Sequence, residues 1–328
     1  MEARDAFLSS LASGGSSKRH SLLMRYTDDF LLITTSKRVA TKFYTVMRDG
    51  HPDYGCFISP EKTLTNFDLL DTMSAAGPLV PRIYSDDFAW CGLTLNTRDL
   101  GVSTDLARYA GLDMRDTLTV EYSRRPGAAL VEKMITSVKS RCHVLFTDTS
   151  LNGSRRVYAN VYASFLVAAL KFAAYLGELR RFKVVFRAEF LFGAIQRLVR
   201  FTSRYIGSRV ASARAKLYAL GSTKDRRSGR GRRGKAWRVS CALQPRYVHW
   251  LGYSAFQSVL SPHAARKTKH GGANLRSPNY RSLDAVTRKA LVSLIETCAM
   301  HSCYSAARRR LASVAASALN EARKSLQI

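Results

Sequence analysis

A chain of 328 residues has room for about two domains of ordinary size. Its 46% hydrophobic content allows real cores and excludes disorder throughout. The net charge of +28 is uneven: residues 1–103 carry 11 Lys and Arg against 12 Asp and Glu, the remainder 41 against 12, so a near-neutral piece is joined to a strongly basic one.

Residues 1–20 end in Gly14-Gly15-Ser16-Ser17 and a short basic step, and read as a flexible lead-in with no apolar run of the signal-peptide kind. Next, two apolar runs, Leu22–Met24 and Phe30–Ile33, flank the polar tip Arg25-Tyr26-Thr27-Asp28-Asp29, which predicts a β-hairpin. Ser36 has the chemistry of a helix cap. Lys37–Asp49 then places Ala40, Phe43, Val46 and Met47 on one face, with Gly50 as the stop. Gly55–Ile58 and Thr63–Phe67 read as two short strands around Pro60-Glu61, Asp68–Pro81 as a loop, and Phe88–Leu95 as a returning strand. Residues 21–103 are thus expected to be α+β. Tyr84-Ser85-Asp86-Asp87-Phe88 repeats the spelling of the first tip, but Pro81 sits where its first strand should run. Asp86 and Asp87 are therefore read as exposed turn carboxylates.

From about residue 104 the periodicity is helical. Val131, Met134, Ile135, Val138, Cys142 and Leu145 form one apolar stripe that leaves Lys133 and Lys139 off it. Asn152–Leu176, Val184–Phe201 and Tyr205–Leu220 follow as helices, with Gly221 as a cap. Lys224–Arg238 is a basic, Gly-containing linker. Arg246–Leu260, Leu283–Met300 and Ser305–Leu326 complete a helical bundle, with Ala264–Pro278 as another basic loop. Val157–Leu176 comes nearest to a membrane span, but Asn160, Ser164 and Lys171 interrupt it and a buried core helix is expected. The six cysteines, Cys56, Cys91, Cys142, Cys241, Cys298 and Cys303, form no CxxC pair and read as reduced thiols of an intracellular protein. Cys298, His301 and Cys303 lie close together, in a spacing that matches no zinc pattern.

A polyanionic partner follows from the basic half, since each Lys or Arg that neutralises a phosphate releases counterions. No amphipathic surface helix favours an acidic membrane, so nucleic acid is the expected partner. Two adjacent carboxylates on a rigid hairpin suit phosphoryl or nucleotidyl transfer, because Mg²⁺ takes a few carboxylates plus substrate phosphates. An Asp-Asp turn with no chemistry is the plain alternative.

Tyr26-Thr27-Asp28-Asp29-Phe30 resembles the YxDD box of reverse transcriptases, and the Phe after the second Asp is similar to the telomerase family. The likeness continues in order: Tyr54-Gly55-Cys56 with Glu61-Lys62-Thr63 and Asn66-Phe67, then Trp90-Cys91-Gly92-Leu93, which resembles the primer grip. Further on, Asp105 and Arg141-Cys142-His143 with Leu145-Phe146 resemble the telomerase thumb. The resemblance implies a fold and a reaction. The fold is the later part of a reverse-transcriptase palm over 21–103, followed by an all-α thumb over 104–328 with a basic linker at 222–238. The reaction is Mg²⁺-dependent extension of a telomeric DNA 3′ end, copied from a template RNA with deoxynucleoside triphosphates, in the nucleus at the telomere.

The same resemblance assigns residues. Asp28 and Asp29 are the expected metal ligands, completed by a third carboxylate from an earlier strand that residues 1–20 do not contain. The chain is therefore expected to be a fragment or an incomplete gene product, inactive alone. Lys62 is either a solvated charge or the acid that protonates the pyrophosphate. Trp90, Cys91, Gly92 and Leu93 are plain core, primer grip, or both. Arg108, Arg115, Arg124, Arg125, Lys133 and Lys139 occupy the segment that cradles the DNA backbone in the family. Residues 226–235 suit an import signal, a nucleic-acid tether or a solvated linker. Two other readings remain: a group II intron or retroelement reverse transcriptase, which commonly carries Cys-rich additions not seen here, and a catalytically inactive basic nucleic-acid-binding piece.

Overall fold

The computed structural model describes residues 21–69, 80–110, 112–121, 123–224, 243–261, 289–290, 292–297 and 305–326. Two compact units make up the chain, Met1–Asp99 and Leu100–Ile328. Together they mix helix with small antiparallel sheets, as an α+β chain does.

In the first unit, β1 (Ser21–Tyr26) and β2 (Asp29–Thr34) pair antiparallel, from Ser21 opposite Thr34 to Tyr26 opposite Asp29. The expected hairpin is present because two apolar, bulky runs meet at a two-residue corner. Ser21 and Thr34 hydroxyls join its open end at 2.7 Å. Ser36 then caps α1 (Lys37–Asp49): its side chain accepts from the Val39 N–H, satisfying one orphan donor of the first turn. Gly50 ends the helix.

The two strands expected around Pro60-Glu61 do not form. Residues 55–58 and 63–67 contribute only isolated bridges, His51 to Cys56 and Thr65 to Arg82. Pro52–Tyr54 and Pro60–Lys62 are single 3₁₀ turns, each opened by its proline. Proline presets φ for such a turn and offers no N–H to a ladder, so strand growth stops there. The single strand expected over 88–95 is instead a hairpin, β3 (Asp87–Trp90) against β4 (Leu93–Asn96). Asp68 and Arg82 form an ion pair; the rest of the expected 68–81 loop lies mostly outside the described residues.

The second unit opens with β5 (Val102–Thr104) and a 3₁₀ turn at Ala107–Tyr109. The helices are α2 (Pro126–Lys139), α3 (Val144–Thr147), α4 (Ser154–Arg181), α5 (Ala188–Lys224), α6 (Pro245–Leu260) and α7 (Ser305–Leu326). α2 buries Met134 and Val138 of the expected stripe, which continues past the helix to buried Cys142, while Val131, Ile135 and Leu145 are half-buried; Leu130, outside that stripe, is fully buried beside them. α4 is the centre of the core. Phe165, Phe172 and Tyr175 are almost fully buried on it, and the Phe172 ring meets Phe256 of α6 edge-on at 5.5 Å. α4 has the length and apolarity to cross a membrane, yet 78% of its apolar window is buried inside the unit, as in a core helix. Helix α6 comes close to α4 and α5 at Gly252, where a Cβ would stand 2.8 Å from Val199 and 3.1 Å from Phe165.

The helices expected at 184–201 and 205–220 are one continuous helix, α5. The Thr202 hydroxyl bonds back to the Leu198 carbonyl at 2.8 Å, so a polar interruption is satisfied within the helix. Ile206 and Val210 carry the buried face onward. Gly221 lies inside α5 and does not cap it. Residues 1–20, 225–238 and 264–278 lie outside the described residues, as do Cys241, Cys298, His301 and Cys303.

Candidate active site

The tip of the first hairpin is the turn Thr27-Asp28, and Asp29 begins β2 opposite Tyr26. Thr27 has φ of 51° while Asp28 does not share the left-handed region, the pattern of a type II′ corner. Glycine is the usual first residue of that corner. A β-branched residue there carries about 1–2 kcal/mol of backbone strain. Arg25 braces the turn, its Nε donating to the Thr27 carbonyl at 2.7 Å with the guanidinium over the Phe30 ring at 5.2 Å. Asp28 and Asp29 are both exposed, adjacent and available as acceptors.

The second hairpin meets the first at its own tip. Trp90 pairs with Leu93 across Cys91-Gly92, whose φ values of 49° and 77° make a type I′ turn. The Cys91 thiol donates to Asp29 Oδ2 at 3.4 Å. Burial first, then that hydrogen bond and the Asp29 charge, raise the thiol above its ordinary range. This bond links residues 62 apart in sequence, and no local pattern announces it. Trp90 Nε1 is buried without a partner among the described residues. Of the look-alike pair, Asp86 is ion-paired with Arg98 at 2.9 Å and Asp87 accepts from Asn96 at 3.1 Å. Both are thereby used in closing the open end of the second hairpin. Lys62 ends the Pro60–Lys62 turn, with an exposed side chain.

Among the described residues no group of three or more His, Cys, Asp and Glu is placed to hold a metal. The two hairpin carboxylates fit Mg²⁺ as part of a set, since that ion keeps waters and takes one or two carboxylates beside substrate phosphates.

The six expected phosphate-binding cations of the second unit differ in their freedom. Arg115 is committed: its guanidinium bonds Asp113 at 2.5 and 2.8 Å and reaches Glu178 of α4 at 3.7 Å. The hydrogen bond to Asp113 raises its already high pKa. Lys133 is paired with Glu121 at 3.4 Å. Arg124 and Arg125 are exposed at the entry to α2. Lys139 stands over the Phe201 ring at 5.5 Å, and Arg108 over the Tyr109 ring at 5.7 Å.

Residues 128–270 match the family model described as telomerase reverse transcriptase, C-terminal extension. The telomerase reverse transcriptase of Bos taurus is 31% identical over 82% of this chain and 23% of its own length. That of Mus musculus is 29% identical over 75% of this chain and 20% of its own. That of Arabidopsis thaliana is 29% identical over 74% and 20%. These matches put the chain among the reverse transcriptases. More narrowly, it belongs to the telomerase reverse transcriptase family. The chain spans about a fifth of the length of these curated relatives.

Proposed function

We propose that this chain contributes the metal-binding hairpin and a nucleic-acid-holding helical unit to RNA-templated extension of telomeric DNA 3′ ends. The observation that carries the reading is the exposed Asp28-Asp29 pair on a braced turn, met by the thiol of Cys91 from the WCGL hairpin. Asp28 and Asp29 would hold Mg²⁺, with further oxygens from waters, from the triphosphate and from a third carboxylate outside the described residues. That ion, when bound, would polarise the phosphates and favour ionisation of the primer 3′-hydroxyl.

The residues have distinct parts in nucleotidyl transfer. The primer oxygen attacks the α-phosphorus of a deoxynucleoside triphosphate, and pyrophosphate leaves. Lys62, exposed at a turn end, would hand its proton to that leaving group. The type I′ tip at Cys91-Gly92 would let the primer end come close to backbone. Arg108, Arg124, Arg125 and Lys139 suit phosphate contacts that position the duplex without reading its sequence. Template RNA, telomeric DNA and a nuclear, telomeric site of action complete the reading.

In a reconstituted telomerase that carries this chain, Asp28→Asn should abolish extension of a telomeric primer on the RNA template, while Asp86→Asn with Asp87→Asn leaves it intact. Loss with the second pair, and retention with the first, would overturn the assignment.

A further inference from the structure

The two hairpins of the first unit touch tip to tip, and a side chain makes the contact. Cys91 is the first corner residue of the β3–β4 turn, and its thiol donates to Asp29 Oδ2 at 3.4 Å. Asp29 opens β2, so its backbone is held by pairing with Tyr26 while its side chain is exposed. Pairing alone leaves the carboxylate free to turn about its own side-chain torsions. Among the described residues the Cys91 thiol is the sole hydrogen-bond donor to that carboxylate, and the neighbouring Asp28 receives none. One bonded oxygen leaves Oδ1 and a lone pair of Oδ2 able to accept. A carboxylate already turned into place gives up less freedom when it takes a cation, and the partners that orient such ligands typically contribute 10–100-fold in metal affinity. A thiol is a weak donor, so its share is smaller, about three- to tenfold.

We propose that Cys91 is a positioning residue for the metal site: its thiol fixes the orientation of the Asp29 carboxylate and so raises the affinity of the Asp28-Asp29 pair for a divalent cation. The proposal rests on the reading of those two acids as Mg²⁺ ligands. It gives the WCGL corner a second task beside the approach of the primer to its backbone. The two tasks use different atoms, since the primer approach needs the backbone of Cys91-Gly92 and the bond to Asp29 needs the Cys91 side chain. Substitution therefore separates them. Serine keeps a donor at the same position, alanine keeps only the Cβ, and neither adds bulk at the corner.

The test has two arms. Binding of Mn²⁺, a spectroscopic stand-in for Mg²⁺, to the whole chain is read from loss of the free-ion electron paramagnetic resonance signal. Primer extension by a reconstituted telomerase that carries this chain is read across a Mg²⁺ series and, separately, a primer series. Cys91→Ala should weaken Mn²⁺ binding and raise the half-saturating Mg²⁺ concentration about three- to tenfold, with the KM for primer unchanged. Cys91→Ser should return both cation readouts toward wild type. Added to Asp29→Asn, Cys91→Ala should weaken Mn²⁺ binding no further, because the thiol acts through that carboxylate. A raised primer KM with unchanged cation dependence, or equal losses in the alanine and serine variants, overturns the positioning role alone. If Asp29→Asn also leaves Mn²⁺ binding unchanged, the metal assignment beneath it falls as well.

Discussion

Asn160→Leu tests how the start of the helical unit is held. Asn160, on α4, is 3% exposed, and its amide donates to the Val102 carbonyl at 2.9 Å and the Phe146 carbonyl at 3.1 Å. Asn152, 1% exposed, accepts from the Val102 N–H at 2.7 Å and donates to the Leu145 carbonyl at 2.7 Å. Both backbone polar groups of buried Val102 are thus satisfied by side chains, from residues 50 and 58 positions further on. Leucine is close to asparagine in size but donates nothing, so two buried carbonyls lose their partner. Each loss costs about 1–3 kcal/mol. Burying leucine in place of an amide returns part of that, which leaves a net destabilisation of about 2–4 kcal/mol. At about 2–4 °C per kcal/mol for a unit of this size, the helical melting transition should fall by roughly 5–15 °C. Far-ultraviolet circular dichroism reads it directly, because the described helices lie mostly in this unit. A loss below about 0.5 kcal/mol would mean that the two amides do not secure β5, and the reasoning would fail.

Two further outcomes follow from the same structure. Gly252→Ala should destabilise the bundle by about 1–2 kcal/mol in urea unfolding: overpacking against fully buried Val199 and Phe165 costs about 1–3 kcal/mol, while better helix propensity returns up to about 1. A stabilised variant would show that α6 can move away from α4 and α5. Among the described cysteines, alkylation near neutral pH followed by mass spectrometry should label exposed Cys56 before Cys91, and Cys142 last. Burial pushes the Cys142 thiol up to about 12, so it stays protonated at any pH below that, and Cys91 is raised by burial and by Asp29. Asp29→Asn should therefore increase the Cys91 thiolate fraction and its labelling rate. An unchanged rate would separate that thiol from the carboxylate.

Local codes explain which elements were legible. The first hairpin, the Ser36 cap and the α2 stripe are each written within a few residues, as bulky runs around a polar corner, a hydroxyl before a helix, and apolar residues at helical spacing. The turn at Cys91-Gly92 was hidden because its first position lacks the Asn, Asp or Gly that usually marks a type I′ corner, so a hairpin read as one strand. Residues 55–58 and 63–67 have strand-like composition, but a strand exists only where a partner edge is offered, and bridges are all they find. In α5 a hydroxyl that bonds its own helix made an apparent break harmless. The candidate site divides along the same line. Its carboxylates were legible because they are neighbours in sequence; the thiol beside them was not, because only folding brings Cys91 to Asp29.

Asn160 and Lys171 show the limit of pattern reading most clearly, since both looked like the same thing, a polar break in the apolar run of α4. Asn160 is answered within the protein, by two backbone carbonyls whose need for donors fixes it in place. Lys171 is answered by nothing in the described fold: its charged neighbours share its sign and lower its proton affinity. A residue whose polar demand is met internally is there for stability, and its replacement should lower the melting point. A residue whose demand is unmet costs stability, so removing it should leave the fold as stable or more so. The contrast between Asn160→Leu and Lys171→Met in one melting experiment therefore separates the two roles: opposite shifts support them, and parallel losses would reduce Lys171 to another packing residue of the core helix.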